Sequence, residues 1–354
     1  MSKVLALTPF DISKPSFGGA ERCYNLLTRV GPIDVIGLNW DGVNSYQRIG
    51  DMSYELIGAD QAAVEQSRKL RANGVITYDP MPSLCKNNLT TIRKEIDLIN
   101  PDLVVLEHPW LVDLIGDIPF IYDAHNFETY NTGTQFGVNS YDYQLVKEIE
   151  YHAASQAEHI TYCSQQDIEL MRQMFNIDTP ATHIPNGVTL PDQVSDNKTR
   201  NLIFIGSVYQ PNINAAQRLI DLAPQLPGYR IQILGQCANY VTNTHNNVVL
   251  VGHVNEEQLD YYFRNAHAFI NLTTHGSGTH LKIGRALAYG IPTLTTPKGG
   301  RGYTNVIHTN PFTLPHQLNT LDWDHWHTKA LEEAATISWD TIAQTFKKVI
   351  QEHS

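Results

Sequence analysis

The stretch HGSGTHLKIGRALAYGIP, residues 275 to 292, carries the residue types of an anion site. His275 opens the loop, and Gly276 and Gly278 remove side chains that would fend off a phosphate. Ser277 or Thr279 can cap the helix that the following pattern predicts, and the start of a helix offers unpaired backbone N–H groups to a negative ligand. Lys282 and Arg285 lie three apart and are therefore neighbours on the helix surface. The two cations repel unless they are well solvated or share an anion. Gly284, inside the helix, costs about 1 kcal/mol relative to alanine, which predicts a neighbour packed against it.

Three other places hold candidate chemistry. SFGGAERCYNLL (16–27) puts Gly18 and Gly19 between a strand and a helix opened by Ala20 and Glu21, a geometry that lets backbone approach a phosphate but that also suits an ordinary βα turn. FIGSVYQPNINAAQRLI (204–220) ends a strand at Gly206 and Ser207 and starts a helix at Pro211 and Asn212, where proline is common for structural reasons alone. LEHPW (106–110) and IYDAHNFETY (121–130) place His108 and His125 at the ends of successive strands, with Asp123, Asn126 and Glu128 beside the second. One histidine there is commonly structural. Two raise the expectation that at least one is an acid, a base or a hydrogen-bond donor.

These residues need elements to aim them. Short β-branched runs at 3–7, 33–38, 102–107, 119–123 and 159–163 alternate with helical patterns near 19–30, 88–99, 141–157 and 165–175, which predicts a parallel sheet covered on both faces. PNGVTLPDQVSDNKTR (185–200) interrupts the rhythm as a linker, after which strands return at 201–207, 230–236, 247–254, 267–272 and 291–297. The expected fold class is α/β, with two Rossmann-like doubly wound domains facing a cleft. Each glycine loop follows a strand, where open α/β sheets bind ligands. SWDTIAQTFKKVIQEH (338–353) predicts a closing amphipathic helix. NTGTQFGVNSYDYQ (131–144) is expected to be a mobile polar loop.

Composition narrows the function classes. Of 354 residues, 42% are hydrophobic and 17% charged, and the net charge is −11. Such an acidic balance argues against broad adhesion to nucleic acid or anionic membrane. SRKLRANG (67–74) is read as a solvated helix face rather than a basic patch. Four scattered cysteines and an N-terminal apolar run of only about five residues point to a reducing, cytoplasmic setting without a signal peptide. No run approaches the roughly 20 apolar residues of a transmembrane segment; peripheral membrane contact stays open. DWDHWH (322–327) lies away from the strand ends, and no zinc spacing, Walker loop, GxGxxG or GxSxG motif is present, so no metal or cofactor is expected.

Together GGAER (18–22), DAHNFE (123–128), YCSQQD (162–167), IPNGV (184–188), FIGSVYQPN (204–212), VGHV (251–254), GSGTHLKIGRALAYGIPTLTTPKGG (276–300) and SWD (338–340) resemble, in order, the retaining glycosyltransferases of family four, with the GT-B fold. The resemblance implies an acceptor-side domain over 1–188, a nucleotide-sugar domain over 189–336 and a helix over 337–354 that crosses back to the first domain. It implies transfer of a sugar from a nucleotide sugar (UDP-linked first, GDP-linked second) to an acceptor hydroxyl, without metal. Gly18 and Gly19 would approach the donor diphosphate or the acceptor. His125, or failing that His108, would lie near the transferred sugar. Val254 would seat the base through its backbone. His275 to Thr279, with Lys282, would face the sugar and diphosphate, and Gly206, Ser207 and Asn212 would line the donor site.

Two positions depart from the family pattern. Ser277 and Arg285 stand where many members have two glutamates eight apart, and GSVYQPN lacks the usual basic pair. Arg285 is read as supplying part of the missing positive charge. The acceptor is open among glycan, lipid-linked sugar, protein and modified nucleobase. Two other readings stay alive: a nucleotide-sugar epimerase on the same fold, and a catalytically degenerate sugar-nucleotide-binding protein.

Overall fold

Every residue of LVVLE (103–107) is buried, as a strand must be when helices cover both faces of its sheet. The computed structural model describes residues 2–15, 17–74, 80–196, 198–275 and 278–354. The chain divides into two units, one of Met1–Pro185 with Trp339–Ser354 and one of Asn186–Ser338.

The first unit runs β1 (Val4–Thr8), α1 (Gly18–Leu27), β2 (Ile33–Asn39), β3 (Ser45–Ile49), β4 (Met52–Gly58), α2 (Gln61–Ala72), α3 (Met81–Leu84), α4 (Thr90–Ile99), β5 (Leu103–Glu107), β6 (Phe120–Ala124), α5 (Glu128–Phe136), α6 (Tyr141–Gln156), β7 (His159–Tyr162), α7 (Gln165–Phe175) and β8 (Ala181–His183). The strand order is β3-β4-β2-β1-β5-β6-β7-β8, and only the β3–β4 pair is antiparallel. From β1 the chain moves to β2 on one side, while β5 lies on the other. The loops after β1 and β5 therefore diverge and leave a crevice at their carboxyl ends.

The second unit runs β9 (Asn201–Ile205), α8 (Gln210–Asp221), β10 (Arg230–Leu234), β11 (Val248–Gly252), α9 (Glu256–Arg264), β12 (Ala268–Asn271), α10 (Leu281–Ala288), β13 (Thr293–Thr295), β14 (Ile307–His308), α11 (Leu314–Thr320) and α12 (Trp323–Thr336); α13 (Trp339–His353) closes the chain and belongs to the first unit. The parallel order β11-β10-β9-β12-β13-β14 puts a second switch between β9 and β12. Leu202 and Phe204 of β9 enter one core and Ile203 the other, the alternation that a strand with two covered faces requires.

Three expectations change. The segment 131–144 is not a loop: α5 reaches Phe136, and α6 starts at Tyr141 behind Ser140, whose hydroxyl accepts from the Tyr143 amide. The first sheet is not wholly parallel, because the β3–β4 hairpin, whose β3 side chains are largely exposed, forms its edge. The unit boundaries fall at 185/186 and 338/339 rather than 188/189 and 336/337. The reason is local pairing. The Val188 amide donates to the Ile337 carbonyl at 2.9 Å, Val188 bridges Ser338, and the buried Val188 side chain joins a core of the second unit. The 67–74 stretch lies largely in α2, with Arg68, Lys69 and Arg71 exposed as a solvated face.

Candidate active site

In the second unit, Gly206 ends β9 so tightly that a Cβ there would sit 2.8 Å from Asn212 Cβ and 3.1 Å from Cys237 Sγ. Glycine thus lets the start of α8 close over the strand end and brings Asn212 to α10. Lys282 Nζ donates to Asn212 Oδ1 at 2.7 Å and to the Ile205 carbonyl at 3.2 Å, and lies 4.4 Å from the centre of the Phe204 ring. None of these partners carries charge. Burial therefore pushes the Lys282 pKa down to about 7, with the Cys237 thiol acting the other way. His280, the residue before α10, takes a hydrogen bond from Asn271 Nδ2 at 3.1 Å. Burial, then the charges of Lys282, Arg301 and Lys298, push its pKa down to about 3. Buried Arg301 donates to the Gly278 carbonyl at 3.1 Å and holds that residue at φ +66°. Asn271 Oδ1 and Thr273 Oγ1, at the end of β12, are buried without a hydrogen-bond partner among the described residues. The carboxyl ends of β9 and β12 thus carry cations, a helix start and unused polar atoms, a combination suited to a polyanion.

In the first unit, Arg22 of α1 reaches under the strand ends. Its Nε and Nη2 grip Asp123 at 2.9 and 2.8 Å, and Nη1 donates to the Ile184 carbonyl at 2.9 Å. Both side chains are buried, so losing one partner strands the other, a change that costs about 3–5 kcal/mol. His125 Nε2 sits 2.7 Å from Glu107 Oε2 and 3.3 Å from Asp123 Oδ2. Cys23 Sγ donates to the same Glu107 oxygen at 3.2 Å. Thr161 donates to Asp123 at 2.6 Å and Cys163 to the His125 carbonyl at 2.8 Å.

The His108 ring lies tilted by 43° against that of His125, with ring centres 4.0 Å apart, and His108 adopts φ +65°, a strained setting for a residue with a Cβ, of the kind that collects at functional sites. A Cβ on Gly19 would lie 3.0 Å from the Phe17 ring and 3.4 Å from His108 Nε2, so the start of α1 lies beside this histidine. The two rings titrate apart. Burial opposes charge on His125, but hydrogen bonds to Asp123 and Glu107 and their charges hold its pKa above the ordinary value. Burial and then the charge of His125 lower that of His108. The two adjacent rings thus differ in how readily each takes a proton.

Comparison with known proteins bears on what these sites serve. The family described as Glycosyltransferase Family 4 matches residues 59–190, and the one described as Glycosyl transferases group 1 matches residues 199–317. The chain belongs to the family 4 glycosyltransferases. No curated protein matches its sequence. Among solved structures, the glycosyltransferase is similar to a sucrose-phosphate synthase from Thermosynechococcus elongatus, with a TM-score of 0.76 and 13% identity over 99% of this chain and 98% of that one. It is similar to a UDP-forming α,α-trehalose-phosphate synthase from Burkholderia xenovorans, with a TM-score of 0.68 and 11% identity over 99% of each chain. A trehalose-6-phosphate synthase analysed for glycosyltransfer with retention gives a TM-score of 0.69 and 11% identity over 98% of this chain and 99% of that one. These structural likenesses establish the GT-B fold, with both α/β units present.

Within the glycosyltransferase the anticipated residues fall into two groups. Gly206, Ser207, Asn212, Gly278, Thr279 and Lys282 gather at the β9 and β12 ends, whereas Gly18, Gly19, His108 and His125 gather at the β1, β5 and β6 ends. Gly276 and Ser277 lie outside the described residues. His275 is exposed and takes up Thr274 Oγ1 at 2.9 Å. Val254 packs against a core of the second unit just before α9.

Two expectations about these residues are corrected. Thr279 does not cap α10: His280 occupies that place without a side-chain cap, and Thr279 instead accepts from Asn186 at 2.7 Å. α1 starts at Gly18 itself, with Phe17 before it, so both glycines lie in its first turn. Arg285 pairs at 2.6 Å with Glu256 of α9, an exposed contact that leaves its expected part in an anion site as an expectation. Residues that the sequence reading missed include Arg22, Glu107, Asn271, His280 and Arg301. A buried Arg22 in GGAER has no local signature, since its partner Asp123 is 101 positions away. Among the described residues, Cys23, Glu107 and His125 bring ligand-type atoms within 4.8 Å of one another. Hydrogen bonds already join them, and we assign them no metal.

Proposed function

We propose that the glycosyltransferase moves a sugar with retention from a nucleotide sugar, UDP-linked first and GDP-linked second, to an acceptor hydroxyl without a metal cofactor. The observation that carries this reading is Lys282. It is a buried amine whose partners among the described residues are uncharged, at the switch point between β9 and β12, and burial pushes its pKa down to about 7. A diphosphate arriving there would restore its full charge, and charge developing on the leaving diphosphate would be met by an ammonium and helix amides already in place. His125 and His108 are the groups assigned to the transferred sugar. The UDP preference and the retention are supported by the descriptions of the trehalose-phosphate synthases with the same fold. A cytoplasmic setting is supported by four cysteines that are all buried free thiols. Among the described residues no helix is long and apolar enough to cross a membrane.

A thermal-shift series with UDP-, GDP- and dTDP-sugars tests the proposal, because ligands that bind the folded state raise Tm. UDP-sugars should give the largest rise. Lys282→Met should remove most of it and slow donor turnover by roughly 10²–10³-fold. If no nucleotide sugar moves Tm, the donor reading fails. Epimer formation from donor alone would point to an epimerase, and binding without turnover on any acceptor to a degenerate protein.

A further inference from the structure

We propose that Glu107 is a positioning residue that keeps a proton on Nδ1 of His125, so that this histidine meets substrate as a hydrogen-bond donor and not as a base. The argument begins with charge. Arg22, Asp123 and Glu107 are all buried. With both carboxylates ionised and His125 neutral, these four groups sum to one negative charge, which burial penalises. One added proton brings them to zero. The other groups facing His125 do not remove that demand. Cys23, on α1, has its thiol pushed up by burial and then by Glu107. Cys163, at the end of β7, spends its S–H on the His125 carbonyl. Neutral His108 adds nothing, and Glu128 of α5, 3.2 Å from His108 Nδ1, adds negative charge if anything.

The added proton lies between Glu107 Oε2 and His125 Nε2, which are 2.7 Å apart. Placed on Nε2, it makes an imidazolium with N–H on both ring nitrogens. Placed on Oε2, it is donated to Nε2, and the single proton of the neutral ring must then be on Nδ1. Both placements put hydrogen on Nδ1. That nitrogen is buried and has no hydrogen-bond partner among the described residues, so its N–H is not spent there and would bond a substrate oxygen that displaces what covers it. Arg22 acts one step further back. By neutralising Asp123 through two hydrogen bonds, it leaves Glu107 as the carboxylate that governs the shared proton.

The proposal rests on the transferase reading only where a substrate enters, and the protonation can be read without one. Long-range ¹H–¹⁵N correlation of histidine-labelled full-length protein, with His125 assigned through His125→Asn, should show Nδ1 protonated at pH 7.5. In Glu107→Gln the amide oxygen accepts from Nε2–H, the ring becomes neutral, and Nδ1 should lose its proton. An unprotonated Nδ1 in the native protein, or a protonated one in both proteins, overturns the proposal. If Glu107→Gln fails to fold, the native spectrum alone decides. With an accepted donor, Glu107→Gln should lower kcat by roughly 10²-fold while leaving donor Kd within about twofold. Equal losses in both would mean that Glu107 only supports the fold. A native protein that shows the Nδ1 proton but binds no nucleotide sugar refutes the transferase reading and leaves the Glu107 assignment standing.

Discussion

Lys282 shows how one residue can carry a site. Its ammonium has the Asn212 oxygen, the Ile205 carbonyl and the Phe204 face, and its pKa falls from 10.5 to about 7 because those partners replace water without replacing charge. A bound diphosphate stabilises the charged form and so raises that pKa. Above about pH 7 the Lys282 amine of the free protein would be largely neutral, and a diphosphate that meets it would bind with uptake of a proton. Titration calorimetry of UDP at pH 8 in buffers of different ionisation enthalpy should report uptake approaching one proton, absent in Lys282→Met. Affinity should weaken as pH rises above 7. Buffer-independent heats would show that the amine does not meet the phosphates. Lysine, glycine and the strand-end histidines were legible as residue types in the sequence. The partners that tune them were not, because Asn212 and Lys282 are 70 positions apart. Arg285 shows what spacing alone leaves out. Its helix spacing from Lys282 is real, yet an exposed pair with Glu256, of a kind worth at most ~1 kcal/mol, is enough to turn its charge elsewhere.

Elements were read more reliably than contacts. The runs that became β1, β2, β5, β6, β7 and β9 to β13 are apolar enough to announce themselves, whereas SYQRI of β3 alternates mostly exposed polar residues and forms because β4 pairs with it. Gly284 in α10 is a case where sequence logic reached the right physical cause. An added Cβ would lie 2.6 Å from Val188 Cγ1 and 3.0 Å from the Tyr303 hydroxyl, and Val188 is buried and cannot swing away. Gly284→Ala gains about 1 kcal/mol of helix propensity but pays for overpacking of about 1–3 kcal/mol. A net loss of about 1 kcal/mol in urea unfolding is expected, and a stabilised variant would refute the close packing. The 131–144 stretch failed for a complementary reason. Its glycines and asparagines suit a loop, but buried Glu150 of α6 accepts the Glu128 and Thr129 amides at 2.9 and 2.7 Å and so anchors the start of α5.

At the scale of the whole molecule, the last helix belongs to the first unit in space although it follows the second in sequence. Trp339, Ile342, Phe346, Val349 and Ile350 of α13 are buried, so Phe346→Ala should destabilise the first unit by about 3–5 kcal/mol, read as an earlier unfolding transition. A transition that does not move would show that α13 is only loosely attached. By itself the sequence determined an α/β chain in two halves, the family it belongs to, and the loops that follow the right strands, because periodicity and glycine placement are local properties. Only the tertiary structure decided strand order, the two switch points, the gripping of Asp123 by Arg22, the closing of Asn212 onto Lys282 and the true unit boundaries. Each of these depends on groups far apart in the chain meeting in a buried place, where a charge or a hydrogen bond must find its partner and local pattern does not record which partner that is.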